Sequence, residues 1–235
     1  MSTEVACSIC GCGEFKEYNT RPAACCTNCG SLERTRLLWL IIEKLQIVRP
    51  GMRVLHWAPE KTIAERLMAV SDINYRACDI DVEKYRRFPV PVEALDMCED
   101  LPQLPDAGFD LIIHNHVLEH IPCRVDDALA HLGRITAPDG HLLFSVPFRG
   151  QHTDEDLSPE LTDEERNRRF GQSDHMRIFG RADFIPLIEK VYGTSNLSYD
   201  MNDVLTNQEV AMAGVPARVL KGITGETIFR YHQKA

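Results

Sequence analysis

The chain has 235 residues, 44% hydrophobic and 26% charged, which is enough apolar material for one sizeable core and a small appendage. Its formal charge of −9 argues against a phosphate-backbone partner, because nonspecific nucleic-acid binding requires Lys and Arg to neutralise phosphates. The apolar run LLWLII at residues 37–42 falls far short of the ~18 residues that mark a membrane span, so a soluble cytoplasmic protein without a signal peptide is expected.

Six of the nine cysteines crowd into the first 29 residues, and the other three stand singly further on. Cys7 and Cys10 form one CxxC, Cys26 and Cys29 form another, and 15 residues separate the pairs. That interval suits a four-cysteine zinc site, in which two tight turns each supply two thiolates. Gly11 and Gly30 directly follow the second cysteine of each pair, where the backbone must curl around an ion. A closed shell of four thiolates implies a structural Zn²⁺. Cys12 and Cys25 leave two alternatives open: Cys25 in place of Cys26, or a set of reduced buried thiols.

Residues 32–45 read as a helix apolar around most of its circumference, hence buried between the cysteine unit and the main domain. Residues 51–58 read as a strand after the Pro50-Gly51 turn, 61–70 as a helix and 74–80 as a second strand ending in Asp79. Asp81 is placed to cap the helix that follows. Residues 109–114 form the fourth strand, with His114, His116 and His120 at or just beyond its end. If a helix begins there, His116 and His120 share a face, and a histidine near neutral pKa suits general-base work on a hydroxyl. The alternative for each is a packing histidine. Residues 154–169 are too polar for a core and read as a solvated helix or loop. A helix at 182–192 and two late strands, within 195–201 and 227–231, complete the pattern of an α/β doubly wound, Rossmann-like sheet.

Between Arg53 and Pro147 the segments RVLHWAPE, YRACDID, EALDMCEDLP, FDLIIHNHVLEHI and GHLLFSVP stand in the order of strand ends that face a nucleotide-like cofactor. Asp79 follows Val54 by 25 residues, close to the ~20-residue offset of a ribose-binding acid. Together these segments resemble a class I S-adenosylmethionine (SAM) methyltransferase of the type 11-like group. LHWAPE resembles the LHxAPE loop of a subgroup that also carries a cysteine knuckle, and CCTNCGSLERTR resembles that knuckle, with Cys26 matching its first cysteine.

The resemblance implies a seven-stranded sheet and a division into a knuckle at residues 1–31 and a catalytic domain at residues 32–235. It implies a cofactor site of His56, Ala58, Glu60, Asp79, Ile80, Asp96, Met97, His114 and Asn115. Within it Asp79 accepts the ribose hydroxyls, Asp96 lies near the adenine amino group, Met97 lies beside the ring and Glu60 meets the SAM ammonium. A surface Glu at a helix start is the alternative for Glu60. His116 and His120 are the catalytic candidates, with His116 the better placed to face substrate. FGQSDHMRIFG resembles an element of the same subgroup, so a lid is expected around residues 149–180, with Arg149, Gln172, His175 and Arg177 facing the acceptor. Arg177 suits bidentate carboxylate recognition, or else pairs with Asp174 to pin the lid. The expected reaction is methyl transfer to a small, anionic or hydroxyl-bearing acceptor, most simply at oxygen. An RNA base methyltransferase and a noncatalytic zinc-knuckle binding protein are the two alternatives.

Overall fold

The structure, a computed structural model, describes residues 4–234. The chain opens with a hairpin of β1 (Phe15–Tyr18) and β2 (Arg21–Cys26), followed by helix α1 (Glu33–Lys44). Then come β3 (Arg53–Trp57), α2 (Lys61–Met68), β4 (Asn74–Asp79), β5 (Val92–Ala94), β6 (Phe109–Asn115), α3 (Val125–Ile135) and β7 (Thr136–Ser145). A pair of two-residue strands, β8 (Asp154–Glu155) and β9 (Arg177–Ile178), flanks α4 (Asp163–Phe170). The chain ends with α5 (Arg181–Tyr192), β10 (Leu197–Ser198), α6 (Asn207–Met212) and β11 (Phe229–His232).

Seven strands form one sheet in the order β10-β11-β7-β6-β3-β4-β5. The five strands from β7 to β5 run parallel, and β11 and β10 join antiparallel at one edge. The sequence of β6 explains its central place: Leu111, Ile112 and Ile113 are all fully buried, as a parallel strand covered on both faces requires. Register is pinned at the base by Asp110, whose carboxylate accepts from the Arg53 backbone N–H at 2.8 Å and from its guanidinium at 3.0 and 3.1 Å. Because β3 has β4 on one side and β6 on the other, the strand order reverses there, and a crevice opens beyond the carboxyl ends of these strands.

Each face of the sheet has its own apolar layer. Leu129, Leu132, Phe184 and Ile188 from α3 and α5 meet Phe144 and Phe229 on one face. On the other, Leu37, Ile41, Ile63 and Leu67 from α1 and α2 meet Val54, Leu111 and Ile113, and Cys7, Ile9 and Cys26 join the same cluster. The polar tie is Arg36. Fully buried, it donates to Ala24 O, Ser31 O, Ala213 O and Gly214 O at 2.6–3.0 Å, fastening the hairpin region to α1 and to the segment after α6.

The structure corrects three local expectations. Residues after β6 form turns, and the next helix, α3, begins only at Val125, so His116 and His120 do not share a helix face. Asp81 precedes a single 3₁₀ turn, Val82–Tyr85, without a capping hydrogen bond from its side chain. Cys98 and Cys123, expected to stand singly, are joined by a disulfide across 25 residues, because the loops after β5 and β6 bring their Cα atoms to 5.8 Å. Among the described residues no helix is long and apolar enough to cross a membrane.

Candidate functional site

A cavity of ≈ 490 Å³ lies beyond the carboxyl ends of β3, β4 and β6. Its wall takes Trp57 and Ala58 from the end of β3, Asp79, Ile80, Lys84 and Tyr85 from the end of β4, and Leu95, Asp96 and Met97 from the loop after β5. His116, Val117, His120, Ile121 and Pro122 follow from the turns after β6, and Gln172 and Asp174 from the β8–β9 segment. The volume is that of a small-molecule site.

Ala58 sits in the left-handed region at φ 48°, and its N–H donates to Cys78 O at 2.9 Å. A small side chain there lets a ligand approach the turn, the role a glycine commonly takes. Asp79 is held by two donors: Asp81 N–H to Oδ1 and Tyr85 O–H to Oδ2, both at 2.8 Å. Burial and the adjacent Asp79 push the Tyr85 phenol well above its ordinary pKa, so it remains a donor. A carboxylate offers about four acceptor positions. Two are used here, and the others remain for a diol. Cys98 N–H donates to Asp96 Oδ1 at 2.7 Å, and Asp96 N–H donates to Asp100 Oδ2 at 2.8 Å, so a tight turn fixes the Asp96 carboxylate.

Glu60, His56 and Asn115 stand outside the lining of this cavity and form a polar chain behind the strand ends. Tyr75 O–H donates to His56 Nδ1 at 3.0 Å, and His56 Nε2–H donates to Glu60 Oε2 at 2.8 Å. Asn115 Nδ2 donates to Glu60 Oε1 at 2.9 Å, and Ser145 O–H to Asn115 Oδ1 at 2.8 Å. Burial pushes the Glu60 carboxyl up, but the hydrogen bond from His56, the charge of Arg34 and the hydrogen bond from Asn115 outweigh it and hold the pKa below the ordinary value. Glu60 is therefore an anion at the start of α2. A second cavity of ≈ 190 Å³ shares His116 with the first and is lined also by Arg21, Leu32, Arg34, Gly225 and Glu226.

The histidines differ sharply. His114 is fully buried, stacked on Phe144 at 5.1 Å between ring centroids, with neither ring nitrogen hydrogen-bonded, and burial pulls its pKa down to about 3. Its side chain lines neither of the two cavities and so does not join the cofactor-site candidates gathered there. His116 takes φ 53°, donates from Nε2 to Gly225 O at 3.0 Å and has Nδ1 3.2 Å from Glu119 Oε1 without a hydrogen bond. His120 engages Asp174 through Nδ1 alone, which leaves Nε2 uncommitted. Both histidines line the cavity, and the Nε2 lone pair of His120 is the more available of the two.

The lid expectation divides in the same way. Gln172 lines the cavity, and His175, 3% exposed, packs edge-on against His120. Arg177 does not face the acceptor. It is fully buried and donates to Leu118 O, Ile121 O and Cys123 O at 2.6, 2.7 and 3.0 Å while pairing with Glu155. Three carbonyls of the turn after β6 thus consume the guanidinium fork. Arg149 is exposed and does not line the cavity, and its backbone N–H donates to Phe179 O. Sequence reasoning missed Lys84 and Tyr85, which lie in a charged stretch without a motif, and Trp57, Val117 and Ile121, whose apolar side chains carry no site signal.

At the N-terminus the sulfurs of Cys7, Cys10, Cys26 and Cys29 lie within 4.8 Å of one another. Cys7 and Cys29 are 3.7 Å apart, and Cys10 and Cys26 are 3.6 Å apart. Cys25 points elsewhere, with its thiol on Cys26 O and Gly30 O.

Residues 41–191 match the family described as methyltransferase domain. No curated protein matches the chain by sequence. Among solved structures the fold is similar to that of 1,6-didemethyltoxoflavin-N1-methyltransferase from Burkholderia thailandensis, solved with bound 1,6-didemethyltoxoflavin and S-adenosylhomocysteine, at 15% identity over 86% of this chain and 79% of that one, with a TM-score of 0.50. It is also similar to a SAM-dependent methyltransferase from Archaeoglobus fulgidus, at 14% identity over 86% and 93% with a TM-score of 0.53. A SAM-dependent methyltransferase from Mesorhizobium loti shows 11% identity over 83% and 96% with a TM-score of 0.51.

Proposed function

The chain belongs to the methyltransferase-domain family, and from that premise we propose that it transfers the methyl group of SAM to an oxygen of a small polar acceptor. One observation carries this reading: Ala58, Asp79 with Tyr85, and Asp96 converge from three successive strand ends on one ≈ 490 Å³ cavity. Asp79 suits the ribose diol, Asp96 the adenine amino group, and Ile80 and Met97 the apolar faces of the base. The anionic Glu60 suits the ammonium. SAM supplies an activated methyl group on a sulfonium with a good leaving group, so positioning the acceptor in line contributes much of the acceleration, up to ~7 to 11 kcal/mol.

The acceptor is read as lying against His116, His120 and Gln172 at the far side of the cavity. His120 Nε2 offers the hydrogen-bond acceptor that orients a hydroxyl there. With Arg177 engaged by carbonyls and Arg149 turned to solvent, the anionic acceptor loses its two intended cations, and a hydroxyl becomes the preferred group. The test is production of S-adenosylhomocysteine from SAM with panels of small hydroxy compounds and small carboxylates. Turnover with hydroxy compounds that is lost in Asp79→Ala supports the reading; turnover confined to carboxylates or to RNA overturns it.

The four N-terminal cysteines are read as a structural Zn²⁺ site. Around an ion bound at ~2.3 Å, tetrahedral sulfurs lie roughly 3.8 Å apart, and the two closest pairs here stand at 3.6 and 3.7 Å. Four thiolates close the shell, so this ion would hold the fold of residues 1–31 against the domain of residues 32–235 and take no part in methyl transfer.

A further inference from the structure

We propose that Glu119, His120 and His175 form a second, distinct metal site that takes a divalent transition-metal ion at the acceptor side of the cavity. A carboxylate oxygen of Glu119 and one ring nitrogen of each histidine lie within 4.8 Å of one another. Glu119 is fully buried, yet neither of its oxygens has a hydrogen-bond partner. Its one ion-pair contact is His116 Nδ1 at 3.2 Å, which makes no hydrogen bond to it. A buried carboxylate without hydrogen bonds is costly, and a cation is the natural counterpart.

Both rings are anchored through one nitrogen. His120 Nδ1 donates to Asp174 O and His175 Nδ1 to Phe170 O, both at 3.2 Å. Each contact places the proton on Nδ1 and leaves Nε2 with the lone pair that a metal needs, which is the arrangement of histidine ligands anchored by a carbonyl. Backbone links the two segments as well: Met176 N–H donates to Glu119 O at 2.8 Å, so His175 and the Glu119 turn are held side by side. Ligands around a shared ion at ~2.0 to 2.2 Å sit roughly 3 to 3.5 Å apart, so loading tightens the cluster by about 1 Å.

Two imidazoles and one carboxylate suit a borderline ion such as Zn²⁺, Fe²⁺ or Co²⁺ and leave positions open. His120 lines the cavity, so an open position faces the acceptor. The inference rests on the preceding reading only for the nature of that occupant, a hydroxyl oxygen. With the ion bound, His120 is a ligand, and the metal instead of the ring meets the acceptor oxygen.

The test uses the full chain with the cysteine site loaded with zinc and no SAM or acceptor present, so failure of the methyltransferase reading does not affect it. Co²⁺ is titrated in and followed by its visible absorption. One equivalent of Co²⁺ with ligand-field bands and no thiolate charge-transfer band is the expected result. Affinity should fall by ~30-fold or more in Glu119→Gln and in His120→Asn. His120 is part-exposed, so the second variant decides if the first does not fold. Absence of Co²⁺ binding up to millimolar concentration, binding that shows only the thiolate band, or undiminished affinity in a folded His120→Asn would overturn the proposal.

Discussion

Glu60 accepts a 2.8 Å hydrogen bond from His56 Nε2, and that bond fixes the charge state of the residue that opens α2. Both carboxylate oxygens are held, the second by Asn115, while the side chain stays 19% exposed. Although Glu60 lies outside the cavity lining, its remaining exposure leaves the oriented anion room to meet an ammonium group. Glu60→Gln should therefore raise the Kd for SAM by ~10-fold, a loss in the range of a charge-assisted hydrogen bond, and leave the thermal transition nearly unchanged. Calorimetric titration checks this, and an unchanged Kd would assign Glu60 to the scaffold alone.

Asp79 is the second anchor. Asp79→Ala should abolish measurable SAM binding, because it removes both ribose acceptors and strands the Tyr85 hydroxyl. Tyr85→Phe, which keeps the carboxylate and loses only one orienting bond, should raise Kd by about 5-fold, equivalent to roughly 1 kcal/mol.

Arg177→Met is predicted to act on stability. Three buried carbonyls would lose their donor, and Glu155 its partner, so the variant should lose about 3 to 5 kcal/mol on urea unfolding. A fold of wild-type stability with a raised KM for an anionic acceptor would restore Arg177 as a substrate contact.

Acid sensitivity should report His114. Burial lowers its folded pKa to about 3 from an unfolded value of ~6.5, so between these limits the unfolded state binds the extra proton. The stability present above pH ~6.5 is therefore lost as pH falls, by up to ~1.4 kcal/mol per unit. His141, lowered to about 4 first by burial, adds to the same trend. His114→Phe should flatten the dependence between pH 6.5 and 4.5. A slope identical to wild type in urea unfolding over that window would refute the assignment.

Chelation addresses the cysteine cluster. The protein should carry one zinc at the four cysteines, and Cys26→Ser should lose it together with protection of the β1–β2 hairpin from proteolysis. Cys25→Ser should keep the metal, because its thiol faces Cys26 O and Gly30 O. Equal loss in both variants would contradict the ligand set.

The architecture was legible because short apolar runs such as LIIHN and VLHW, bounded by turn residues, read as interior parallel strands, and because Asp79 and Asp96 sit where strand ends meet the cavity. What stayed hidden depends on three-dimensional closure. No spacing reveals that Arg177 fills its fork with carbonyls of residues more than 50 positions away, or that His114 turns into the core while His120 faces the cavity. The disulfide was missed for the same reason, since Cys98 and Cys123 meet only once two loops fold over the sheet. Glu119 read as part of a motif, and its buried carboxylate without hydrogen bonds is visible only in the fold.

The central claim is that the cavity at the ends of β3, β4 and β6 binds SAM, and calorimetric titration of the zinc-loaded chain with SAM and S-adenosylhomocysteine tests it most directly. Micromolar binding of both at one site per chain, lost in Asp79→Ala, is predicted. A folded, zinc-loaded protein that binds neither would contradict the account and leave a methyltransferase fold without its reaction.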